Sequence, residues 1–174
     1  ADAESMCAGV AIEIGQHPQH VLVCSTGLIG YPLPIDIITA AIPALVLQFH
    51  GDEDAVYCRQ FSRPYLRAAR VRPGFDLVEF ADAFPDARGL LLDAFVEGYG
   101  GGGHVFDWTL IPPGLPGFVV LSGGLTADNV GDALRRVRPA AVDVSSGVET
   151  GKGIKDHSKI AAFVAAVRKA DESI

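Results

Sequence analysis

Two short apolar runs in the last third of the chain end in small-residue turns. Phe118-Val119-Val120-Leu121 runs into Ser122-Gly123-Gly124, and Ala140-Ala141-Val142-Asp143-Val144 runs into Ser145-Ser146-Gly147. A glycine directly after a buried strand lets main-chain N–H groups approach an anion, because no Cβ stands in the way. Gly123, Gly124, Ser146 and Gly147 are therefore candidate phosphate ligands through their backbone; the plainer reading is that the glycines only permit tight turns. Asp93 follows Leu90-Leu91-Leu92. A carboxyl leaving a buried strand suits general-acid work, or it caps the loop that follows. Cys24 ends a similar run, Val21-Leu22-Val23. Its thiol is either a stand-in general base or a small buried hydrophobe. Asp143 reads as a buried structural carboxylate that needs a partner.

These positions need a scaffold that brings strand ends to one edge. From residue 44 onward strands and helices alternate. Ala44–Phe49, Tyr65–Val71, Arg88–Phe95, Phe118–Leu121 and Ala140–Val144 read as strands, and Asp54–Phe61, Phe75–Ala83, Thr126–Val137 and Asp156–Lys169 as helices. Thr126 is the expected N-cap of the third of these helices, with Asp128 and Asn129 in its first turn. Such alternation predicts an α/β fold, a parallel sheet with right-handed crossovers. In a (βα)8 barrel, the loops after the last two strands are where a substrate phosphate sits. The first 43 residues read differently: Asp2–Ile14 is helix-like, His17-Pro18 breaks it, Val21–Ser25 is a strand candidate and Leu33–Ala41 a helix candidate. With 174 residues, one domain of about six βα units is expected, a truncated barrel with self-association as one way to complete it.

Four motifs together carry a resemblance. LQFHGDED at 47–54, LLLDAFVEGYGGGGHVFDW at 90–108, VLSGGLTADNV at 120–130 and AVDVSSGVETGKGIKD at 141–156 resemble phosphoribosylanthranilate isomerase, a TIM-barrel enzyme of tryptophan biosynthesis. The resemblance implies a cofactor-free Amadori rearrangement of a small phosphorylated sugar substrate. It implies that Asp93 is the acid and that phosphate sits on Gly123, Gly124, Ser146 and Gly147. It further implies that Gly98–Gly103 is the flexible loop after the acid, and that the base is a first-strand cysteine; that strand is not recognisable here, which predicts impaired activity, and Cys24 at the end of a similar run is the stand-in. His50 and Asp52 match the end of the family's fourth strand, where structural hydrogen bonding is the expected role.

Residues 1–43 instead resemble part of the bifunctional ornithine acetyltransferase family, in which Thr26 and Gly27 would match an oxyanion-hole pair. The chain thus reads as a chimera, 1–43 joined to an isomerase-like partial barrel at 44–174. The alternative to an isomerase is a catalytically inactive recombinant scaffold that keeps the phosphate site.

Composition narrows the partners. A net charge of −7 argues against nucleic acid, which calls for a basic face. No apolar run reaches eighteen residues, and the N-terminal stretch is not signal-like, so a cytoplasmic protein with no membrane contact is expected. Three cysteines without paired spacing fit a reducing compartment, with Cys7 and Cys58 as packing residues on helices. No metal-ligand spacing is present. Gly123→Val or Gly147→Val is expected to abolish binding of a phosphate analogue and leave the fold largely intact.

Overall fold

The computed structural model describes residues 2–15, 17–20, 46–95 and 105–174. Cys24, the Thr26-Gly27 pair, the 21–25 and 33–41 candidates and the 98–103 loop lie outside the described residues. The chain divides into two compact units, residues 1–47 with 53–65 and residues 48–52 with 66–174.

In the first unit, α1 spans Asp2–Ile14 and stops before the His17-Pro18 break. Helix α2, Ala55–Arg59, is capped by Asp54, whose carboxylate accepts the Tyr57 N–H at 2.7 Å. Cys58 is fully buried and Cys7 half-buried, each on a helix as expected.

Among the described residues the sheet has five strands in sequential order: β1 (Leu47–Phe49), β2 (Tyr65–Val71), β3 (Gly89–Ala94), β4 (Phe118–Leu121) and β5 (Ala141–Val142). Pairing is parallel from β2 through β5. The α/β class expected from alternation is the one observed. Among the described residues of the second unit, three helices accompany the strands: α3 (Leu77–Asp82), α4 (Val130–Val137) and α5 (His157–Asp171).

Strand alternation sorts the side chains. Ala69, Val71, Leu90, Leu92, Ala94 and Leu121 bury one face against Leu77 and Ala81 of α3, Val130, Ala133 and Leu134 of α4, and Phe163 and Ala170 of α5. Ala68, Leu91 and Val120 pack together on the other face. The amphipathic stripe of α4, ending at Arg138 in the left-handed region, is what seats it on the sheet.

Three expectations are corrected. The helix read as Thr126–Val137 begins at Val130, because Leu125–Asn129 is a side-chain-clamped turn. Asn129 Oδ1 accepts the Thr126 N–H at 2.8 Å and its Nδ2 donates to the Gly124 carbonyl at 3.0 Å, so Thr126 is not the N-cap. The last strand is only Ala141–Val142, since the chain leaves the ladder after Asp143 donates to Leu121. After it comes an unanticipated antiparallel hairpin, β6 (Glu149–Gly151) with β7 (Ile154–Lys155).

Candidate active site

Parallel strands put all their C-terminal ends on one edge, and alternation puts every second side chain on one face. Leu91, Val120 and Ala141 share a face, so the next same-face positions are Asp93, Ser122 and Asp143. Arg70 pairs with Asp93 in the β2–β3 register and belongs to that row.

Asp93 is three-quarters buried. Its Oδ1 accepts the Ala94 N–H at 2.8 Å, and its Oδ2 lies 3.3 Å from His50 Nε2. His50 Nδ1 lies 3.2 Å from the Gln48 amide. The end of β1 that carries His50 is fixed by Arg67, a buried arginine. It donates to the carbonyls of Phe49 and Gly51, both at 2.9 Å, while its guanidinium lies over the rings of Phe80 and Phe84. Asp52 pairs with Arg70. Asp143 is corrected: it is exposed, and its Oδ2 accepts a 3.0 Å bond from the buried Ser122 hydroxyl. It bounds the rim instead of lying beneath it.

The two glycine turns meet at this edge. A Cβ added to Gly147 would sit 1.8 Å from the Leu125 carbonyl oxygen, so the loop after β5 touches the loop after β4 backbone to backbone. A Cβ on Gly123 would come within 2.6 Å of Ala94 N and 2.9 Å of Asp93 Oδ1, so the first turn also abuts the carboxyl. Among the described residues, the N–H groups of Gly123, Gly124, Ser146 and Gly147 donate to no protein acceptor, although all four residues are half-buried. Half-buried donors left unspent in one place are costly unless something accepts from them. Four of them beside a three-quarters-buried carboxyl suit an anion and a proton donor acting on one small molecule.

These contacts correct the expectation for valine variants. Gly123 has φ +83°, and both glycines are closely packed against neighbouring backbone, so Val at either position disturbs the fold as well as any ligand.

Sequence reasoning missed Ser122, Arg70 and Lys155. The first two were detectable by counting every second residue from Leu91 across neighbouring strands. Lys155 bonds the carbonyl and hydroxyl of Ser145 and the carboxylate of Glu149. Hydrogen bonds from Lys155, and then from the Gly153 N–H, hold the Glu149 carboxyl below its ordinary value. Bonds from the Ser158 hydroxyl and the Lys159 N–H do the same for Asp156, the cap of α5. A carboxyl lowered in the folded state stabilises above its unfolded pKa and loses that contribution as pH falls through the folded one. The hairpin and the start of α5 are therefore expected to loosen in acid below the ordinary carboxylate range. Amide exchange should rise there before the sheet melts; uniform exchange across the chain would contradict this. Among the described residues no cluster of three metal-ligating side chains occurs, and no helix is long and apolar enough to cross a membrane.

The family model for N-(5'phosphoribosyl)anthranilate (PRA) isomerase matches residues 33–166. The chain belongs to the PRA isomerase family. The match begins inside the segment 1–43 read as foreign, so the family portion starts eleven residues before the expected boundary at 44. The isomerase of Dechloromonas aromatica is 82% identical over 143 residues, which are 82% of this chain and 69% of that protein. The crystal structure of the isomerase from Thermotoga maritima superposes with a TM-score of 0.65 at 37% identity, covering 76% of this chain and 66% of that one. A PRA isomerase in complex with reduced 1-(o-carboxyphenylamino)-1-deoxyribulose 5-phosphate has a TM-score of 0.61 at 34% identity, covering 76% of this chain and 64% of that one. The sheet is thus part of a TIM-barrel-type fold. The chain spans about two thirds of the length of the curated relatives it matches, 69%, 64% and 63% for three of them.

Proposed function

We propose that the chain provides the phosphate-binding and acid portion of a PRA isomerase acting in tryptophan biosynthesis. The observation that carries this reading is the contact between the two glycine turns, with four unspent main-chain N–H groups beside Asp93. The sugar 5-phosphate docks on Gly123, Gly124, Ser146 and Gly147. Asp93 protonates the furanose oxygen, the ring opens to a Schiff base, and loss of the C2 proton gives an enolamine that becomes the aminoketose. The reaction needs no cofactor. Cys24 is the candidate base. That a relative of this family holds a reduced ribulose 5-phosphate analogue supports the substrate class.

Two finer readings accompany this one. The segment before residue 33, outside the family match, is of ornithine acetyltransferase origin, and self-association completes the sheet of a cytoplasmic protein. Light scattering tests the latter, since a monomer at working concentration contradicts it. Complementation of a tryptophan auxotroph lacking this isomerase tests the activity. Growth is expected, slow if Cys24 is a poor base. No growth from well-expressed folded protein favours the inactive scaffold that retains a phosphate site.

A further inference from the structure

The ammonium of Lys155 has three protons and three acceptors: Ser145 O at 2.9 Å, Ser145 Oγ at 3.2 Å and Glu149 Oε1 at 2.8 Å. Its donors are therefore all used inside the protein, and none is left for a ligand. Glu149 is held in turn, its other oxygen accepting the Gly153 N–H at 3.2 Å. Its backbone carbonyl accepts a bond from Lys159 at 2.6 Å. The hairpin thus grips the carbonyl of Ser145, which also accepts the Val148 N–H at 3.4 Å, immediately before the second turn, while α5 holds the hairpin through the Glu149 carbonyl.

A peptide unit is planar and trans, so its C=O and N–H point in opposite directions. All peptide bonds among the described residues are trans. Fixing the Ser145 carbonyl toward Lys155 therefore aims the Ser146 N–H the other way. That amide and the next, on Gly147, are two of the four that find no protein acceptor among the described residues. Val148, buried in the core, anchors the far end of the same turn.

We propose that Lys155, braced by Glu149, is a positioning residue for phosphate. It takes the Ser145 carbonyl so that the opposite side of that peptide presents its N–H to the anion. The inference rests on the phosphate reading given above. Lys155 does not touch substrate, and its charge reaches the site only as a background field.

The test is a titration of the 15N-labelled chain with inorganic phosphate, reading amide shifts residue by residue. In the wild type, Gly123, Gly124, Ser146 and Gly147 should move on one binding curve. Lys155→Met should weaken phosphate at least about a hundredfold, the worth of the two charge-assisted hydrogen bonds lost. It should silence Ser146 and Gly147 while Gly123 and Gly124 still respond. Lys155→Arg should restore the silent pair. Four unchanged responses in Lys155→Met overturn the positioning role and leave the phosphate site standing. No response at any of the four in the wild type removes the phosphate reading itself, and this inference with it. A measurement free of variants guards against misfolding. The scalar coupling between Lys155 Nζ and the Ser145 carbonyl carbon should persist at saturating phosphate, and its replacement by coupling to 31P would make Lys155 a ligand and overturn the proposal.

Discussion

Asp93→Asn is expected to lower kcat for isomerisation by about a hundred- to ten-thousand-fold, the usual worth of a positioned general acid. The substitution keeps shape. An asparagine oxygen can still accept the Ala94 N–H that now bonds Oδ1, and an amide can still face His50. What it lacks is a transferable proton for the furanose oxygen. Phosphate affinity should not change, because the four amides belong to the next two loops. Undiminished kcat, measured by loss of substrate fluorescence, would reassign the acid, with Asp143 the next carboxyl along the same edge. Loss of both kcat and phosphate affinity would mean that Asp93 holds the first glycine turn, a structural role its contact with Gly123 also permits.

Gly147→Ala should be the most damaging single methyl in the site. The new carbon would need the space of the Leu125 carbonyl, 1.8 Å away, and Val144 lies 3.2 Å away on another side. Backbone must move, at a cost of about 3 kcal/mol or more, as for severe overpacking. On a domain of this size that lowers Tm by about 6–12 °C. Separating the two loops also breaks the four-amide arrangement. Two charge-assisted bonds at about 1.5–3 kcal/mol each imply at least a hundredfold weaker phosphate binding. A variant with wild-type Tm and affinity would show that the loops are not in contact.

The strand-and-helix frame was legible because its elements follow simple patterns. Tyr65–Val71 and Leu90–Leu92 are unbroken apolar or alternating runs, and these two strands begin and end within a residue of the expected places. Asp93 was legible for the same reason, as the first polar residue after such a run. The start of α4 was not, because Asn129 reaches back to Thr126 and Gly124 and so satisfies locally what a helical turn would have satisfied. The hairpin was hidden by its size. Strands of three and two residues around Lys152-Gly153 leave no periodicity to read. With it went Lys155, whose meaning lies in a bond to a carbonyl ten residues earlier. The exposure of Asp143 was misjudged because alternation gives the face of a residue and not its depth at a rim.

The paired glycine turns were visible in sequence as a repeated motif, yet their meeting was not. The single unit β4–α4 between them placed them on neighbouring strands, and the β4–β5 register then brought Leu125 against Gly147. In the proposed function both turns serve the backbone and the anion at once. Gly123 takes a positive φ and lies against Ala94, so no side-chain-bearing residue holds that position without strain.

A crystal structure of this chain with reduced 1-(o-carboxyphenylamino)-1-deoxyribulose 5-phosphate decides whether the two turns hold the phosphate. Phosphate oxygens are expected within hydrogen-bonding reach, about 2.7–3.2 Å, of the main-chain nitrogens of Gly123, Gly124, Ser146 and Gly147, with the sugar extending toward Asp93. A phosphate held by side chains elsewhere, with those four nitrogens facing water, would contradict it.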